Sequence, residues 1–275
     1  MERLEAHRSF FANLVTASAG VRDERLKAAF AATPRERFVG DGPWKVFTMA
    51  GGYIETPSDD PAFLYQDITI ALKPESSINN GQPMLHAACL AALSPKEGET
   101  AVHIGAGTGY YTALLARLTG PTGSVFAYEI EQDLAERAAC NLADLPHVTV
   151  RHQSGTEGEL PSCDVIYVSA GATDPLDVWL DAMRPGGRLL FPLTPAQGVG
   201  GILLVTRSTT DPFAARFVCR AMFIPCIGAR DEETAQKLSA AFQREDLREV
   251  RSLRRDASPD ETCWCSGRGW WLSKA

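Results

Sequence analysis

Apolar residues recur at helical spacing in several short stretches of the first hundred residues. Two stretches near the start, residues 4–15 and 26–30, predict two helices, because apolar positions three or four residues apart share one helix face. Asp23 is placed to cap the second helix. A third helix is predicted over residues 84–93. Residues 40–61 are rich in Gly, Pro and Asp, which predicts loops with one short strand.

From residue 101 onward, apolar runs typical of buried strands alternate with stretches of helical spacing. Strands are predicted over residues 101–104, 124–128, 148–151, 164–169 and 189–193, and helices over residues 111–118, 132–142 and 176–183. This alternation is typical of an α/β fold with a mostly parallel sheet and helices on both faces. Two further β-rich runs, residues 202–206 and 216–223, have no helix between them, which predicts that this last pair is antiparallel.

Three glycines follow the first of these strands at alternating positions, Gly105, Gly107 and Gly109. A strand that enters a glycine turn and leaves as a helix presents backbone N–H groups at the helix start, and glycine lets a ligand approach the backbone closely. Glu129 ends the second strand, where a carboxylate is placed to accept hydrogen bonds from ribose hydroxyls. The pattern therefore favours a nucleoside site over a purely structural turn. A dinucleotide fingerprint has its third glycine where this chain has Tyr110, so a pyrophosphate ligand is disfavoured.

Composition and charge narrow the class of protein. The chain has 275 residues, 45% of them apolar and 22% charged, which suits a globular protein with a sizeable core. Its net charge of −7 argues against nucleic acid as a partner. No apolar run approaches the roughly 20 residues that span a bilayer, so no membrane partner is expected. The seven cysteines include one close pair, Cys263 and Cys265, with no second pair to complete a metal site. We expect free thiols, no bound metal and a cytoplasmic location.

Five sequence blocks together resemble the protein-L-isoaspartate O-methyltransferase family over roughly residues 20–230. The Thr33–Val39 block contains Pro-Arg-Glu and ends in Phe-Val, and the glycine turn matches the Gly-x-Gly-x-Gly of class I methyltransferases. The other three blocks are Asn79-Asn80-Gly81-Gln82-Pro83, Ser154-Gly155-Thr156-Glu157-Gly158 and Arg184-Pro185-Gly186-Gly187-Arg188-Leu189. The Thr33–Val39 block and the Asn79–Pro83 block separate this family from other methyltransferases.

The resemblance implies a Rossmann-like class I methyltransferase that uses S-adenosyl-L-methionine to methylate a carboxylate. The acceptor would be a peptide, a protein or a small molecule, and an isoaspartyl side chain in a damaged protein is the simplest choice. Carried over by position, cofactor binding falls on Asn80, Gly81, His86, Gly105, Ala106, Gly107, Gly109, Glu129, Ser154 and Gly155, and the catalytic positions on Asn80, Gly81 and Gln82. A carboxylate acceptor is ionised at neutral pH, so aligned uncharged side chains suffice and no strong general base is required.

Three departures from the family pattern leave other acceptors open. Gly81 stands where the family presents a serine hydroxyl, Ser154 where it has an aspartate, and His103 where it has an acid before the first glycine. The alternatives are a relative retargeted to a modified peptide or a small molecule, and a binding module that has lost transfer. If the family geometry is kept, Gly81→Ser is expected to raise isoaspartyl transfer, provided that the backbone there accepts a side chain.

The predicted organisation has three segments. Residues 1–95 form a helical and loop segment that contributes to the substrate site, residues 96–228 form the cofactor-binding core, and residues 229–275 form a C-terminal extension. In the extension, four arginines at helical spacing predict one helix face: Arg244, Arg248, Arg251 and Arg255. Three tryptophans surround a predicted hairpin turn at residues 266–269, namely Trp264, Trp270 and Trp271.

Overall fold

The computed structural model describes residues 2–48, 50–208, 212–244, 246–255 and 258–275. The α-helices are α1 (Glu2–Ser18), α2 (Glu24–Ala32), α3 (Glu36–Val39), α4 (Pro83–Leu93), α5 (Tyr110–Thr119), α6 (Gln132–Asn141), α7 (Asp177–Ala182) and α8 (Glu232–Arg244). The strands are β1 (Lys45–Phe47), β2 (Tyr53–Glu55), β3 (Ala71–Lys73), β4 (Ile78–Asn79), β5 (Thr100–Ile104), β6 (Ser124–Glu129), β7 (Val148–His152), β8 (Cys163–Val168), β9 (Met183–Leu193), β10 (Gly200–Thr206), β11 (Phe213–Ala221), β12 (Ser252–Arg254), β13 (Cys263–Ser266) and β14 (Trp271–Ser273).

The chain divides into two compact units. The first comprises residues 1–98 and 106–152, and the second comprises residues 99–105 and 153–275. Every predicted helix and strand outside the arginine-rich stretch has a counterpart in one of them. The boundaries predicted near residues 95 and 228 stay predictions.

In the first unit, the N-terminal helices form as predicted. Asp23 caps α2, because its carboxylate accepts hydrogen bonds from the backbone N–H groups of Arg25 and Leu26. The rings of Phe11 and Phe30 are fully buried and meet edge to face with centroids 6.1 Å apart. Phe10 is 65% exposed, so not every apolar residue of the predicted stripe faces the core. Strand β6 pairs in parallel with β7, and its last pair joins Glu129 to His152.

In the second unit, the strands lie in the order β13-β14-β12-β11-β10-β9-β8-β5. The pairs β5–β8 and β8–β9 are parallel, as the alternation predicts. The pair β9–β10 and every pair beyond it are antiparallel, which confirms the prediction for β10 and β11. Strand β9 begins at Met183 because Gly186 and Gly187 exchange backbone hydrogen bonds with Arg207, so the predicted turn is part of the strand.

The C-terminal extension is wrongly predicted in one respect. Helix α8 ends at Arg244, and Arg248 lies in a separate 3₁₀ turn, Leu247–Glu249. Arg251 precedes β12 and Arg255 follows it, so the four arginines do not share a helix face. The helical spacing of the four arginines does not correspond to one helix. A new turn begins after α8, and Asp246 caps it by accepting a hydrogen bond from Arg248 N.

The tryptophan hairpin is confirmed. Strands β13 and β14 are antiparallel, and Trp264, Trp270 and Trp271 are each at most 5% exposed. Within the described ranges, no helix is long and apolar enough to cross a bilayer.

Candidate cofactor and acceptor site

Glu129 lies beside the glycine turn in the first unit. Its Oε2 accepts a hydrogen bond from Gly107 N at 2.6 Å, and its Oε1 accepts one from Glu131 N at 3.0 Å. The residue is 6% exposed, and this burial raises the pKa of its carboxyl group, while the backbone hydrogen bonds act in the opposite direction. Each carboxylate oxygen keeps a second lone pair, so Glu129 has the capacity to accept from two ribose hydroxyls.

The other residues of the turn in this unit have structural reasons for their identity. Ala106 N donates to Tyr128 O at 3.1 Å, which ties the turn to the end of β6. Gly109 has φ +95°, and a Cβ there would lie 2.7 Å from Leu142 Cδ1. Glycine therefore lets the start of α5 pack closely on the end of α6. Gly107 has φ +56°, a conformation that L side chains rarely adopt.

Three predicted cofactor residues lie in the second unit. Gly105 has φ +75° at the end of β5. The hydroxyl of Ser154 lies 2.7 Å from that of Thr156 and accepts from Thr156 N at 3.2 Å. Gly155 O accepts from Trp179 Nε1 at 2.8 Å. A Cβ on Gly155 would lie 2.7 Å from Ile104 Cγ1, so close packing requires glycine at this position.

His103 also lies in the second unit, below the first glycine. Its ring stacks on Tyr167 with centroids 5.1 Å apart, and its Nε2 lies 3.0 Å from Ser169 Oγ. The residue is 1% exposed, and burial lowers the pKa of the imidazole to about 3. A neutral histidine thus replaces the acid of the family pattern.

The segment that leads into α4 is tied down by its own polar side chains. Asn79 Oδ1 accepts from Gly81 N at 2.9 Å, and Gln82 Nε2 donates to Asp67 Oδ2 at 2.7 Å. Asn80 is 8% exposed, and its Oδ1 accepts from Ile70 N at 2.8 Å. This bond fixes the orientation of the amide, since a flipped amide would present Nδ2 to the N–H of Ile70. In the described part of the chain, Asn80 Nδ2 is buried without a hydrogen-bond partner.

The His86 ring fills the space that a side chain at position 81 would need. Gly81 has φ +72°, and a Cβ there would lie 2.1 Å from His86 Nε2. The His86 ring is 2% exposed and stacks on Tyr111, with centroids 3.6 Å apart and planes 4° apart. Tyr111 OH in turn donates to Gly81 O at 3.4 Å. The condition attached to Gly81→Ser therefore fails, because the backbone and the histidine ring both exclude a side chain at this position.

Two residues that position this segment were missed by the sequence analysis. Asp67 accepts from Gln82 and, at 2.7 Å, from Met84 N, so it caps α4 from a loop without periodicity or a local motif. Arg35 is fully buried, and its guanidinium donates to the carbonyls of Gln66 at 3.0 Å and Ile68 at 2.8 Å. It thereby holds the loop that carries Asp67. Its only signal was its place in the Pro-Arg-Glu block.

Comparison with known proteins identifies the family. A sequence profile described as Protein-L-isoaspartate(D-aspartate) O-methyltransferase matches residues 7–231. The chain belongs to this family. It is similar to the protein-L-isoaspartate O-methyltransferase of Brucella anthropi, with 30% identity over 213 residues that cover 76% of this chain and 88% of that protein. The Methylorubrum extorquens protein of the same name is 32% identical over 211 residues, which cover 76% and 82% of the two chains.

Solved structures of the family share the fold. One protein-L-isoaspartate O-methyltransferase superposes with a TM-score of 0.68 at 22% identity, covering 86% of this chain and 69% of that one. A candidate member from Plasmodium falciparum, in complex with S-adenosyl-L-homocysteine, gives a TM-score of 0.65 at 15% identity, covering 80% and 98%. The predicted Rossmann-like class I methyltransferase fold is thereby confirmed. The protein is a methyltransferase, and its cofactor is S-adenosyl-L-methionine.

Proposed function

We propose that this protein methylates a carboxylate of isoaspartyl residues in peptides or proteins. The observation that carries the proposal is the family match over residues 7–231, which includes both the glycine turn and the Asn79–Pro83 segment. The chemistry of that segment agrees with it, because Asn79, Asn80 and Gln82 are uncharged and an ionised acceptor needs alignment rather than deprotonation.

The residues of this chain that would hold the cofactor are those of the predicted site. Glu129 would accept from both ribose hydroxyls with its remaining lone pairs. Cofactor binding is assigned to nine further residues. Those of the first unit are Asn80, Gly81, His86, Ala106, Gly107 and Gly109, and those of the second unit are Gly105, Ser154 and Gly155. When bound, S-adenosyl-L-methionine supplies an electrophilic methyl group on a sulfonium centre.

We assign the orientation of the acceptor carboxylate to Asn80. Its Nδ2 keeps both N–H donors, whereas Gln82 Nε2 already donates to Asp67 and Asn79 Nδ2 donates to Ser77 O. A buried amide donor without a partner costs about 1–3 kcal/mol, and a carboxylate oxygen would remove that cost. Gly81 and Gln82 complete the proposed catalytic positions, Gly81 through its backbone.

We also propose a division of the chain into three segments around the site. Residues 1–95 would contribute to the substrate site, residues 96–228 to the cofactor core, and residues 229–275 would form an extension. The seven free thiols favour a cytoplasmic location.

A methyl-transfer assay on synthetic peptides tests the proposal. An isoaspartyl peptide should accept methyl groups, and the same peptide with an ordinary aspartyl residue is the matched control. The methyl ester formed should be labile to base, as a carboxyl ester is. Equal rates on the two peptides, or base-stable product, would contradict the proposal.

The second candidate function is methylation of a different carboxylate, on a modified peptide or a small molecule. It is favoured by the pairing of Gly81 with His86, since the ring fills the space that a side chain at position 81 would need. Transfer to neither peptide, combined with measurable cofactor binding, would support this candidate.

A further inference from the structure

The hairpin of β3 and β4 lies against the glycine turn within the first unit. The two strands pair through Ala71 and Asn79. Between them, Leu72 Cδ1 lies 3.4 Å from the position that a Cβ on Gly107 would occupy. The Leu72 side chain of the hairpin therefore packs at Gly107, in the turn that is assigned to the cofactor.

The next residue fastens the hairpin electrostatically. Lys73 Nζ lies 2.5 Å from Glu131 Oε2 and 3.0 Å from Asp133 Oδ1. The lysine side chain is 21% exposed and that of Glu131 is 33% exposed, so the pair is only partly screened by water. Hydrogen bonding to the two carboxylates raises the pKa of Lys73, which keeps the ammonium group charged.

The carboxylates that hold Lys73 belong to the segment that orients the ribose acceptor. Glu131 N donates to Glu129 Oε1 at 3.0 Å, and Glu131 is the residue that precedes α6. At the far end of the hairpin, Asn79 Oδ1 accepts from Gly81 N. Lys73 thus joins the hairpin to the segment that carries Glu129. The hairpin itself leads directly into the Asn79–Pro83 segment, where the methyl acceptor is proposed to bind.

We propose that Lys73 is a positioning residue whose ion pairs hold the hairpin on the glycine turn and thereby set the rate at which adenosyl ligands leave. The inference rests on the proposed cofactor site. An adenosyl ligand held by Glu129 would dissociate only after the hairpin and its Leu72 contact moved away. Since the cation–carboxylate pairs oppose that movement, they slow release of the cofactor and of its demethylated product.

The test is the dissociation rate of fluorescently labelled S-adenosyl-L-homocysteine. It is measured by stopped-flow fluorescence after mixing with an excess of the unlabelled compound. Lys73→Gln should raise the rate about three- to tenfold, the range expected for the loss of two partly exposed ion pairs. Lys73→Arg keeps the charge and should restore most of the wild-type rate. Lys237→Gln, which removes the ion pair with Glu233 on α8, is the matched control and should leave the rate unchanged.

Two further readouts separate positioning from a general loss of stability. Raising the ionic strength should speed dissociation from the wild-type protein and have a smaller effect on Lys73→Gln. Amide hydrogen exchange over residues 71–79 should be faster in cofactor-free Lys73→Gln, with the buried core of α5 unchanged.

The possible results divide cleanly. A folded Lys73→Gln variant that releases the ligand at the wild-type rate overturns the role of Lys73 while leaving the cofactor site intact. A wild-type protein that does not bind S-adenosyl-L-homocysteine overturns the cofactor site and this inference with it. Failure of Lys73→Arg to restore the rate also overturns the inference, since charge is then not the cause.

Discussion

Replacing Glu129 with glutamine keeps the shape of the side chain and removes its charge. In the wild-type protein, Oε2 accepts from Gly107 N at 2.6 Å and Oε1 accepts from Glu131 N at 3.0 Å. A glutamine amide has a single oxygen, so its NH₂ group would face one of these backbone N–H groups and could not accept from it. The perturbation therefore removes one structural acceptor and, at the same end, one proposed acceptor for a ribose hydroxyl.

The magnitude follows from those two losses. A hydrogen bond to a charged group contributes about 1.5–3 kcal/mol, so we expect the affinity for S-adenosyl-L-homocysteine to fall roughly ten- to hundredfold. The unpaired backbone N–H costs the folded protein about 1–3 kcal/mol of unfolding free energy. Calorimetric titration measures the first effect and urea unfolding the second. Glu136→Gln, on the exposed side of α6, is the control and should change neither.

The pH dependence of binding gives an independent check on the same carboxylate. Burial raises the pKa of Glu129, so on acidification the ionised acceptor is lost at a higher pH than for an ordinary glutamate, whose pKa is about 4.3. A raised pKa in the folded state means that protonation of this group favours folding, and that this contribution is lost as the pH rises through the folded pKa. The affinity should thus fall as the pH is lowered. Protonation of Glu129 should not itself unfold the protein. At neutral pH, where Glu129 is ionised, an affinity of a folded Glu129→Gln variant equal to that of the wild type would refute the ribose assignment.

The remaining predictions concern the acceptor segment and its support. Asn80→Asp keeps the acceptor oxygen but replaces the unpartnered amide with a negative oxygen that repels a carboxylate, so kcat/KM for an isoaspartyl peptide should fall at least about tenfold; wild-type kcat/KM would contradict the assignment. Gly81→Ser should lower stability by about 2–4 kcal/mol in thermal or urea unfolding, because it clashes with His86 at a positive φ; higher isoaspartyl activity in this variant would show that the pocket yields. Arg35→Met should cost about 3 kcal/mol or more by leaving carbonyl groups unpaired, whereas Arg3→Met, at an exposed ion pair, should cost under about 1 kcal/mol.

The fold was predictable because each element of the core has a strong local signal. The glycine turn between β5 and α5 is written in alternating glycines, and the antiparallel end of the sheet follows from two apolar runs with no helix between them. The arginine stretch failed for a physical reason. A period of three to four residues is compatible with a helix but does not require one, and Asp246 caps a separate turn instead.

The candidate site was predictable only where chemistry and local sequence coincide. Glu129 could be proposed from the sequence, because it ends a predicted strand twenty residues after the last glycine of the turn. Asp67 and Lys73 do not, because their roles depend on partners brought close by the tertiary fold, Gln82 in one case and Glu131 in the other. Single-sequence periodicity carries no information about such pairings.

The contact between Gly81 and His86 changes how the departure from the family pattern should be understood. A missing serine hydroxyl suggests a simple loss, which one substitution would reverse. Instead, the histidine ring stands where that side chain would begin, and it is held there by its stack on Tyr111. The glycine and the histidine therefore form a matched pair, and neither residue is informative alone. A side-chain hydroxyl has no space at position 81, so any role of this residue toward an acceptor falls to its backbone, and we propose that the amide of Asn80 orients the carboxylate instead.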